Sequence, residues 1–575
     1  MDALFISSGR LFWMAACLAL LTFNIVAQVD FDLVIRKVQI YDGSGNPPII
    51  RDVAIQADHI IAIGKLNNYR SKQVISGRGL TLCPGFIDLH SHADDPLFAQ
   101  LGLRADAPAL RMAHNLVMQG VTTVVVNQDG RSPVSLRAQR QQLEKQGFGP
   151  NVILMVGHNS IRHLALGGDY QRHATPGEIL RMQESLLEGL EAGAFGLTAG
   201  LEYVPGRWSH PEELMELAKV LAARGGVYIV HERASGSDPM WYWPSQSETT
   251  HPTTMLDNVH EVIDLAEKTK VPSCITHIKA RGMDYWGKSG EMVALINAAR
   301  ARGVNIWADQ YPYNTSGSDG NTVLLPPWST DLMHNASEKD RLPLTYQTLV
   351  KQILSDDEKR HKLLMDVQRE IIRRGGPEQI IITEFPDDQY LQMSLKTLAS
   401  RLQLSVVETV FWLQEKGFQD RPGGATLRAY SLSEEDVINF MRQPWCMTAS
   451  DGGLTVPDGS LVHSRYYGTF PRKIAFYARD KKVLSVAQAI HSSTGMPANF
   501  LGLKNRGLIK PGYKADLVLF DLKKLEDRST FKEPHQYPTG IRGVWINGVA
   551  VVKNSKLVQA YPGRVIDHRE SSSFK

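Results

Sequence analysis

Hydrophobic residues in the middle of the chain come in short continuous runs, separated by amphipathic stretches. A continuous apolar run predicts a strand buried on both faces, as in parallel sheets covered by helices. The amphipathic stretches, such as HPEELMELAKVLAARGG, end in glycines that suit helix C-caps. Eight runs can be counted: 81–90, 122–127, 152–158, 194–200, 227–231, 272–277, 305–313 and 445–451. Eight strand–helix repeats predict a (β/α)8 barrel. The competing doubly wound sheet is disfavoured because no glycine-rich phosphate-binding turn follows the first strand.

The two ends of the chain share a different pattern, in which short alternating strands are separated by Gly, Asn and Pro turns. This pattern is typical of β structure. We therefore predict one small β-sandwich made of residues 29–80 and 505–560, with the barrel between them at 81–504 and a tail at 561–575. The last two barrel strands are more than 130 residues apart, too far for a loop. We expect an inserted helical subdomain over the catalytic face, at about 320–440.

Composition excludes several classes of protein. With 43% hydrophobic and 21% charged residues, the chain is neither disordered nor collagen-like. Lysine plus arginine (63) exceeds aspartate plus glutamate (60) by only 3, which argues against a nucleic-acid partner. A large globular enzyme is the expected class.

The N-terminal 28 residues predict export. An apolar run from Leu11 to Ala27 is short for a bilayer span of roughly 20 residues and ends at a small residue. We interpret residues 1–28 as a cleaved signal peptide, which predicts a periplasmic or secreted protein with no stable membrane span. The alternatives are an uncleaved anchor and lipid attachment at Cys17. Cleavage would leave Cys83, Cys274 and Cys446, which we expect to be buried free thiols without a structural disulfide.

Chemistry-bearing side chains fall where the predicted strands end. His90 and His92 stand two apart after the first strand, so both imidazoles can point the same way. Any single pair of this kind is weak evidence, because a core histidine is the ordinary interpretation. The other candidates end or follow further strands: Asp129, His231, His277 and Asp451. Active sites of (β/α)8 barrels lie at the carboxyl ends of the strands. Four imidazoles and two carboxylates there predict a zinc-type site.

Ten segments resemble the amidohydrolase superfamily, and within it the D-aminoacylases (N-acyl-D-amino-acid deacylases). They are PGFIDLHSHADD, GVTTVVVNQDG, GHNSIR, GLTAGLEYVPG, VYIVHER, ITHIKARG, DQYPYNTSGS, TASDGGL, RYYGTFPR and RGLIKPGYKADLVLFD. They occur in the family's order from about residue 30 to 560. The resemblance implies a (β/α)8 barrel with a β-sandwich built from both chain ends, in agreement with the pattern above.

The resemblance also implies a metal site. It assigns metal binding to His90, His92, His231 and His277, and makes Asp451 both a metal-proximal ligand and the catalytic base. The chain departs from the family in one place, because Asp129 stands where these enzymes usually have a metal-binding cysteine. A carboxylate can bind and bridge zinc, but it is a harder ligand than a thiolate. We expect one or two Zn²⁺ ions, with Mn²⁺, Co²⁺ or Ni²⁺ as competitors.

Four further residues are candidates for binding or polarising the substrate. The resemblance places Lys279 and Arg465 against the substrate carboxylate, and a planar guanidinium suits that task. Surface ion pairs are the alternative for both. Tyr203 resembles a family tyrosine that polarises the scissile carbonyl, or is an ordinary core or rim residue. His158 either lines the substrate pocket or orients neighbouring side chains.

These features predict a metal-dependent hydrolase that cleaves the amide of an N-acyl-D-amino acid, giving a carboxylate and a free D-amino acid. No G-x-S-x-G elbow lies at a strand–helix turn to suggest a serine nucleophile. One alternative is a dipeptidase or acyl-peptide hydrolase of the same superfamily, acting on short peptides with a C-terminal D-residue. A more distant alternative is a metal-free barrel that only binds its ligand.

Overall fold

The computed structural model describes residues 29–67, 69–94, 101–317, 322–330 and 345–571. The predicted signal peptide, including Cys17, lies outside the described residues, as does part of the predicted insertion. No helix in the described ranges is both long enough and apolar enough to cross a bilayer. Three cysteines fall within these ranges, namely Cys83, Cys274 and Cys446, and all are buried free thiols.

The chain ends combine in one nine-stranded sheet. Its N-terminal strands are β1 (Val29–Ile40), β2 (Ile49–Gln56), β3 (His59–Gly64), β4 (Tyr69–Ser76) and β5 (Thr81–Pro84). Its C-terminal strands are β19 (Leu517–Phe520), β20 (Ile541–Ile546), β21 (Val549–Lys553) and β22 (Lys556–Leu557). The two groups join where β19 pairs antiparallel with β5, with Val518 opposite Cys83. One face of this sheet buries a cluster that includes Ile35, Val53 and Leu517.

The middle of the chain forms the barrel. Its strands and their short continuations are β6 (Phe86–Asp88), β7 (Ser91–His92), β8 (Val121–Val126), β9 (Asn151–Leu154), β10 (Val156–Gly157), β11 (Gly196–Gly200), β12 (Val227–His231), β13 (Ser273–Ile275), β14 (Ile306–Gln310), β17 (Cys446–Thr448) and β18 (Gly452–Gly453). Parallel pairing runs from β6 through β8 to β9, and from β10 through β11, β12, β13 and β14 to β17. β9 and β10 are one strand interrupted at Met155, so the two series of paired strands form one continuous parallel sheet. The first and last strands meet where β18 pairs parallel with β7.

Helices surround the barrel as the amphipathic pattern predicts. They are α1 (Pro108–Arg111), α2 (His114–Val117), α3 (Leu136–Gln146), α4 (His158–Leu166), α5 (Pro176–Glu191), α6 (Pro211–Arg224), α7 (Met255–Thr269), α8 (Ser289–Ala301), α13 (Glu434–Met441), α14 (Arg465–Arg472), α15 (Val486–His491), α16 (Gly495–Phe500) and α17 (His568–Ser571). A π-helix at Lys473–Asp480 follows α14. The α5 helix begins at a capping box on Thr175, and α6 ends at Gly225 in the left-handed region. The barrel interior is filled by apolar side chains such as Leu89, Phe195 and Met447.

The segment between β14 and β17 contains a subdomain with its own core. It comprises α9 (Tyr346–Leu354), α10 (Asp357–Arg373), α11 (Leu395–Leu402), α12 (Val406–Lys416) and an antiparallel pair, β15 (Ile380–Glu384) with β16 (Thr426–Ala429). Leu363, Ile382 and Leu413 belong to its buried cluster. The predicted fold class, a barrel with a β domain from both chain ends and a helical insertion before the last strand, is confirmed.

Candidate metal centre

Six side chains converge at the carboxyl ends of the barrel strands. They are the six that strand-end positions singled out: His90, His92, Asp129, His231, His277 and Asp451. On one side of the group, Nε2 of His90 lies 3.3 Å from Nε2 of His92. Oδ1 of Asp451 is 3.2 Å from Nε2 of His92 and 3.6 Å from Nε2 of His90. On the other side, Nδ1 of His231 is 2.9 Å from Nε2 of His277.

The Asp129 carboxylate lies between these two sides. Its Oδ1 is 3.5 Å from Nε2 of His90 and 3.4 Å from Nδ1 of His231. Its Oδ2 is 3.5 Å from Nε2 of His92. Burial raises the pKa of Asp129, but the imidazoles of His90 and His231 hold it well below its ordinary value. Asp129 is therefore an ionised carboxylate among four imidazoles.

Backbone conformation aims three of these side chains inward. Asp129 (φ 55°), His277 (φ 37°) and Asp451 (φ 49°) all lie in the left-handed region that non-glycine residues rarely occupy. Such strain persists only where the surroundings fix it, and it concentrates at functional sites. The backbone of Asp129 is held by close packing against Gly200, where an added Cβ would stand 2.2 Å from the Asp129 carbonyl oxygen. The close approach of these two backbones requires glycine at position 200.

The outer nitrogen of His90 has a defined partner. Nδ1 of His90 is 2.7 Å from Oγ1 of Thr276, and that hydroxyl donates to both carboxylate oxygens of Asp309 at 2.9 and 2.8 Å. Because the hydroxyl proton points to Asp309, Oγ1 accepts from Nδ1–H of His90. Nε2 of His90 consequently presents its lone pair to the cluster. Burial raises the pKa of Asp309 to about 6.

Glu202 lies against the outer nitrogen of His231, and the Lys279–Glu232 ion pair lies against that of His277. Oε2 of Glu202 is 3.2 Å from Nε2 of His231. Nδ1 of His277 lies 3.4 Å from Oε2 of Glu232 and 2.7 Å from Nζ of Lys279, which is itself 3.2 Å from Oε1 of Glu232. An ammonium has no lone pair, so Lys279 can only donate, both to Nδ1 of His277 and to the Glu232 carboxylate. Burial lowers the pKa of Lys279, but the Glu232 carboxylate raises it above its ordinary value, so Lys279 is cationic.

Arg465 and Tyr203 border the same cluster. Nη1 of Arg465 donates to Oδ2 of Asp451 at 2.7 Å, and its Nε is buried without a hydrogen-bond partner among the described residues. From the sequence we expected Arg465 to bind the substrate carboxylate. In the structure Arg465 also forms an ion pair with Asp451. The Tyr203 ring centroid is 4.3 Å from that of His231. Burial, with the charge of Asp129, raises the pKa of Tyr203 well above its ordinary value, so the phenol keeps its proton.

The structure does not bring His158 into this group. Its side chain is fully buried, with Nε2 2.7 Å from Oε1 of Glu213 and Nδ1 3.3 Å from Oδ1 of Asn159. Both ring nitrogens have partners, so no atom of His158 is available to a substrate. His158 therefore lies outside the cluster, and its contacts with Glu213 and Asn159 favour the interpretation in which it orients neighbouring side chains.

The geometry of the cluster suits a cation. Two ligands at about 2.0–2.1 Å from one tetrahedral zinc ion lie about 3.3 Å apart, close to the 3.2–3.6 Å that separates His90, His92 and Asp451 here. Oδ1 of Asp129 is also buried without a hydrogen bond to the described part of the chain. A buried anionic oxygen of this kind requires compensation. Imidazole nitrogens and carboxylate oxygens are ligands that zinc accepts.

Sequence reasoning missed the residues that support the cluster. Glu202 precedes Tyr203, Glu232 follows His231, and Thr276 precedes His277. Their signal was a polar residue next to a candidate ligand inside an otherwise apolar segment. Sequence spacing alone cannot show which of these neighbours turns inward.

Comparisons with known proteins agree with this geometry. An amidohydrolase family model matches residues 392–552. A D-aminoacylase of Alcaligenes xylosoxydans xylosoxydans is 28% identical over 559 residues, covering 93% of this chain and 97% of the relative. A solved D-aminoacylase, studied for its binuclear metal center, is 27% identical, with a TM-score of 0.68 over 93% of this chain and 100% of its own. A solved N-acyl-D-glutamate deacylase from Bordetella bronchiseptica, complexed with zinc and a phosphonate inhibitor, is 26% identical, with a TM-score of 0.69 over 94% and 100% of the two chains.

The chain thus combines an eight-stranded barrel, with imidazoles and carboxylates at its strand ends, with a segment at residues 392–552 that matches the amidohydrolase family. Over nearly its whole length, the chain is similar to D-aminoacylases and to the related N-acyl-D-glutamate deacylases.

Proposed function

We propose that the protein hydrolyses the amide bond of N-acyl-D-amino acids, giving a carboxylate and a free D-amino acid. The observation that carries this proposal is the convergence of four imidazoles and two carboxylates beside two cationic side chains, Lys279 and Arg465. The first group suits amide hydrolysis and the second suits a substrate with a free carboxylate. The D-aminoacylase relative, similar over nearly its whole length, supports the same activity.

The metal that this site suits is zinc, which His90, His92, His231 and His277 would hold together with Asp129 and Asp451. When bound, zinc supplies Lewis-acid chemistry that activates water and polarises a carbonyl at neutral pH. The two oxygens of Asp129 face different imidazoles, Oδ1 toward His231 and Oδ2 toward His92. That division supports a site for one or two ions. Mn²⁺, Co²⁺ and Ni²⁺ are the competitors that a harder carboxylate ligand favours.

Asp451 is placed to act as the general base and then the general acid of the hydrolysis. Its Oδ1 faces the imidazole cluster while Oδ2 accepts from Arg465. A carboxylate there can take a proton from the attacking water and return it to the leaving amine nitrogen. Tyr203 keeps its phenolic proton and lies against His231, so it can donate a hydrogen bond to the developing oxyanion.

Lys279 and Arg465 suit the site to substrates that carry a free carboxylate. Both are buried cations beside the cluster, and Arg465 has an Nε–H without a hydrogen-bond partner among the described residues. A substrate carboxylate held between them and a scissile carbonyl held at the cluster leave the Cα substituents little freedom. Only one configuration can then direct its side chain into the pocket, which supports selectivity for one enantiomer.

We also propose that the protein is exported. The apolar run from Leu11 to Ala27, too short for an ordinary span, supports a cleaved signal peptide. Expression with a C-terminal tag, followed by cell fractionation and N-terminal sequencing, tests this. A mature chain that begins near residue 29 is expected outside the cytoplasm. An intact N-terminus in the membrane fraction would instead indicate an anchor.

The substrate assignment is tested by measuring turnover of N-acetyl-D-amino acids, their L-enantiomers and dipeptides with a C-terminal D-residue. The expected result is fast release of the D-amino acid from the N-acetyl-D substrates and slow release from the L-enantiomers. Preference for the dipeptides would make the enzyme a dipeptidase of the same superfamily. Absence of turnover on every substrate, in protein shown to contain zinc, would overturn the proposed activity.

A further inference from the structure

We propose that Glu202 is a positioning residue for the metal ligand His231, and that the inserted subdomain holds Glu202 in place through the loop 235–246. The inference rests on the proposed function, because it requires His231 to bind the metal. It adds a role for the insertion: helix α10 supports one ligand of the metal centre from outside the barrel.

The first step is the contact between Glu202 and His231. Nδ1 of His231 faces the cluster, 2.9 Å from Nε2 of His277, while Nε2 lies 3.2 Å from Oε2 of Glu202. An ionised carboxylate can only accept, so Nε2 of His231 carries the proton. The lone pair of Nδ1 is then directed to the cluster. Carboxylates that hold the outer nitrogen in this way fix the tautomer and the ring orientation of a metal-binding histidine.

The second step is what holds Glu202. Its carboxylate is buried in the barrel mouth, and two of its donors come from the loop 235–246. The backbone N–H of Met240 donates to Oε1 at 2.5 Å, and the Ser235 hydroxyl donates to Oε2 at 3.2 Å. The Arg281 guanidinium adds a contact to Oε1 at 3.4 Å. The position of Glu202 therefore depends on the path of this loop.

The third step joins the loop to the insertion. Asp238, in the middle of the loop, accepts from Nε of Arg369 at 2.5 Å and from Nε of Arg373 at 3.0 Å, and both arginines belong to α10. Arg373 also donates to the backbone oxygen of Tyr242 at 2.6 Å. Asp238 and Arg373 are each only 2% exposed, so this pairing is sheltered from solvent and salt. Helix α10 thus fixes the loop that supplies the donors of Glu202.

The test measures zinc affinity of the purified full-length protein by competition with a chromogenic chelator. The variants are Glu202→Ala, the more conservative Glu202→Gln, and Asp238→Asn. Loss of an outer partner of this kind costs roughly 10–100-fold in metal affinity, and we expect that loss for Glu202→Ala. Glu202→Gln, which keeps an acceptor oxygen, should lose less, and Asp238→Asn should weaken zinc binding although it touches no ligand.

The matched control is Glu213→Gln, which removes the charge from a buried glutamate 2.7 Å from a histidine outside the cluster, His158. The melting temperature of each metal-free protein separates a general loss of stability from a loss of metal binding. The visible spectrum of the cobalt-substituted protein should change for the Glu202 variants and not for Glu213→Gln. If Glu202→Ala and Glu202→Gln bind zinc as tightly as the control while only their metal-free stability falls, Glu202 is structural and the inference fails. If the wild type itself binds no zinc, the proposed function fails, and the inference fails with it.

Discussion

Replacing Arg465 by methionine should remove the charge of one half of a buried ion pair while keeping an unbranched apolar side chain in its place. Nη1 of Arg465 lies 2.7 Å from Oδ2 of Asp451, and the two residues are 7% and 9% exposed. Truncating one half of a desolvated charge pair across a binding interface, here the pair that Arg465 forms with the bound substrate carboxylate, costs about 2–5 kcal/mol. At about 1.4 kcal/mol per tenfold change, that loss corresponds to a fall in kcat/KM of roughly 30-fold to 4,000-fold.

The assay is steady-state kinetics with both enantiomers of an N-acetyl amino acid. KM should rise strongly for the D-substrate, and the D-over-L preference should fall with it, because the substrate carboxylate loses one of its two cations. Arg465→Lys should recover only part of the loss, since an ammonium lacks the planar fork of a guanidinium. An N-acyl amine without a carboxylate should be a poor substrate for the wild type and nearly insensitive to the change. The matched control is Arg442→Met, which removes an exposed arginine whose Nε donates to the Val483 carbonyl.

One result would refute this reasoning. If Arg465→Met kept the wild-type KM and the full preference for the D-enantiomer, Arg465 would serve only as the partner of Asp451. The carboxylate would then be bound elsewhere, and stereoselectivity would need another cause.

Three further predictions concern the metal cluster. Asp451→Asn should keep the fold but lose at least roughly a hundredfold in kcat, because general acid–base catalysis typically contributes 10²–10⁴-fold; unchanged turnover at saturating substrate would move the base to another residue. His231→Ala and His277→Ala should each remove bound metal and activity while circular dichroism stays native, and stoichiometric metal in both variants would refute their assignment as ligands. Asp129→Cys should raise the preference for zinc over manganese and cobalt without abolishing hydrolysis, since a thiolate is the softer ligand; unaltered selectivity in competition binding with mixed ions would make Asp129 a bystander.

The fold was predictable because its periodicity is strong. Continuous apolar runs such as the fully buried β8 mark each barrel strand, and the glycine after α6 marks a helix end. The division of the third strand into β9 and β10 was not predictable, because the apolar run continues across Met155 without any sequence signal. The insertion was predictable from its length. Its contacts with the loop 235–246 were not, since an ion pair such as Asp238 with Arg373 joins residues 135 positions apart.

The candidate site, like the fold, was predictable only in part. The six cluster residues could be found because each follows an apolar strand, and strand ends of a barrel share one face. The partners of these residues could not be found, because side-chain direction after a strand depends on backbone conformation. His158 illustrates the point: like His231 it ends an apolar run, but it begins α4, and its side chain contacts Glu213 on α6.

The central claim is tested most directly by chiral analysis of a racemic N-acetyl amino acid after incubation with the enzyme, with and without zinc. Protein stripped of metal by a chelator and then reconstituted with zinc should release the D-amino acid and leave the N-acetyl-L-amino acid intact. The stripped protein should release neither enantiomer. Equal release of both enantiomers, or full release by the metal-free protein, would contradict the account.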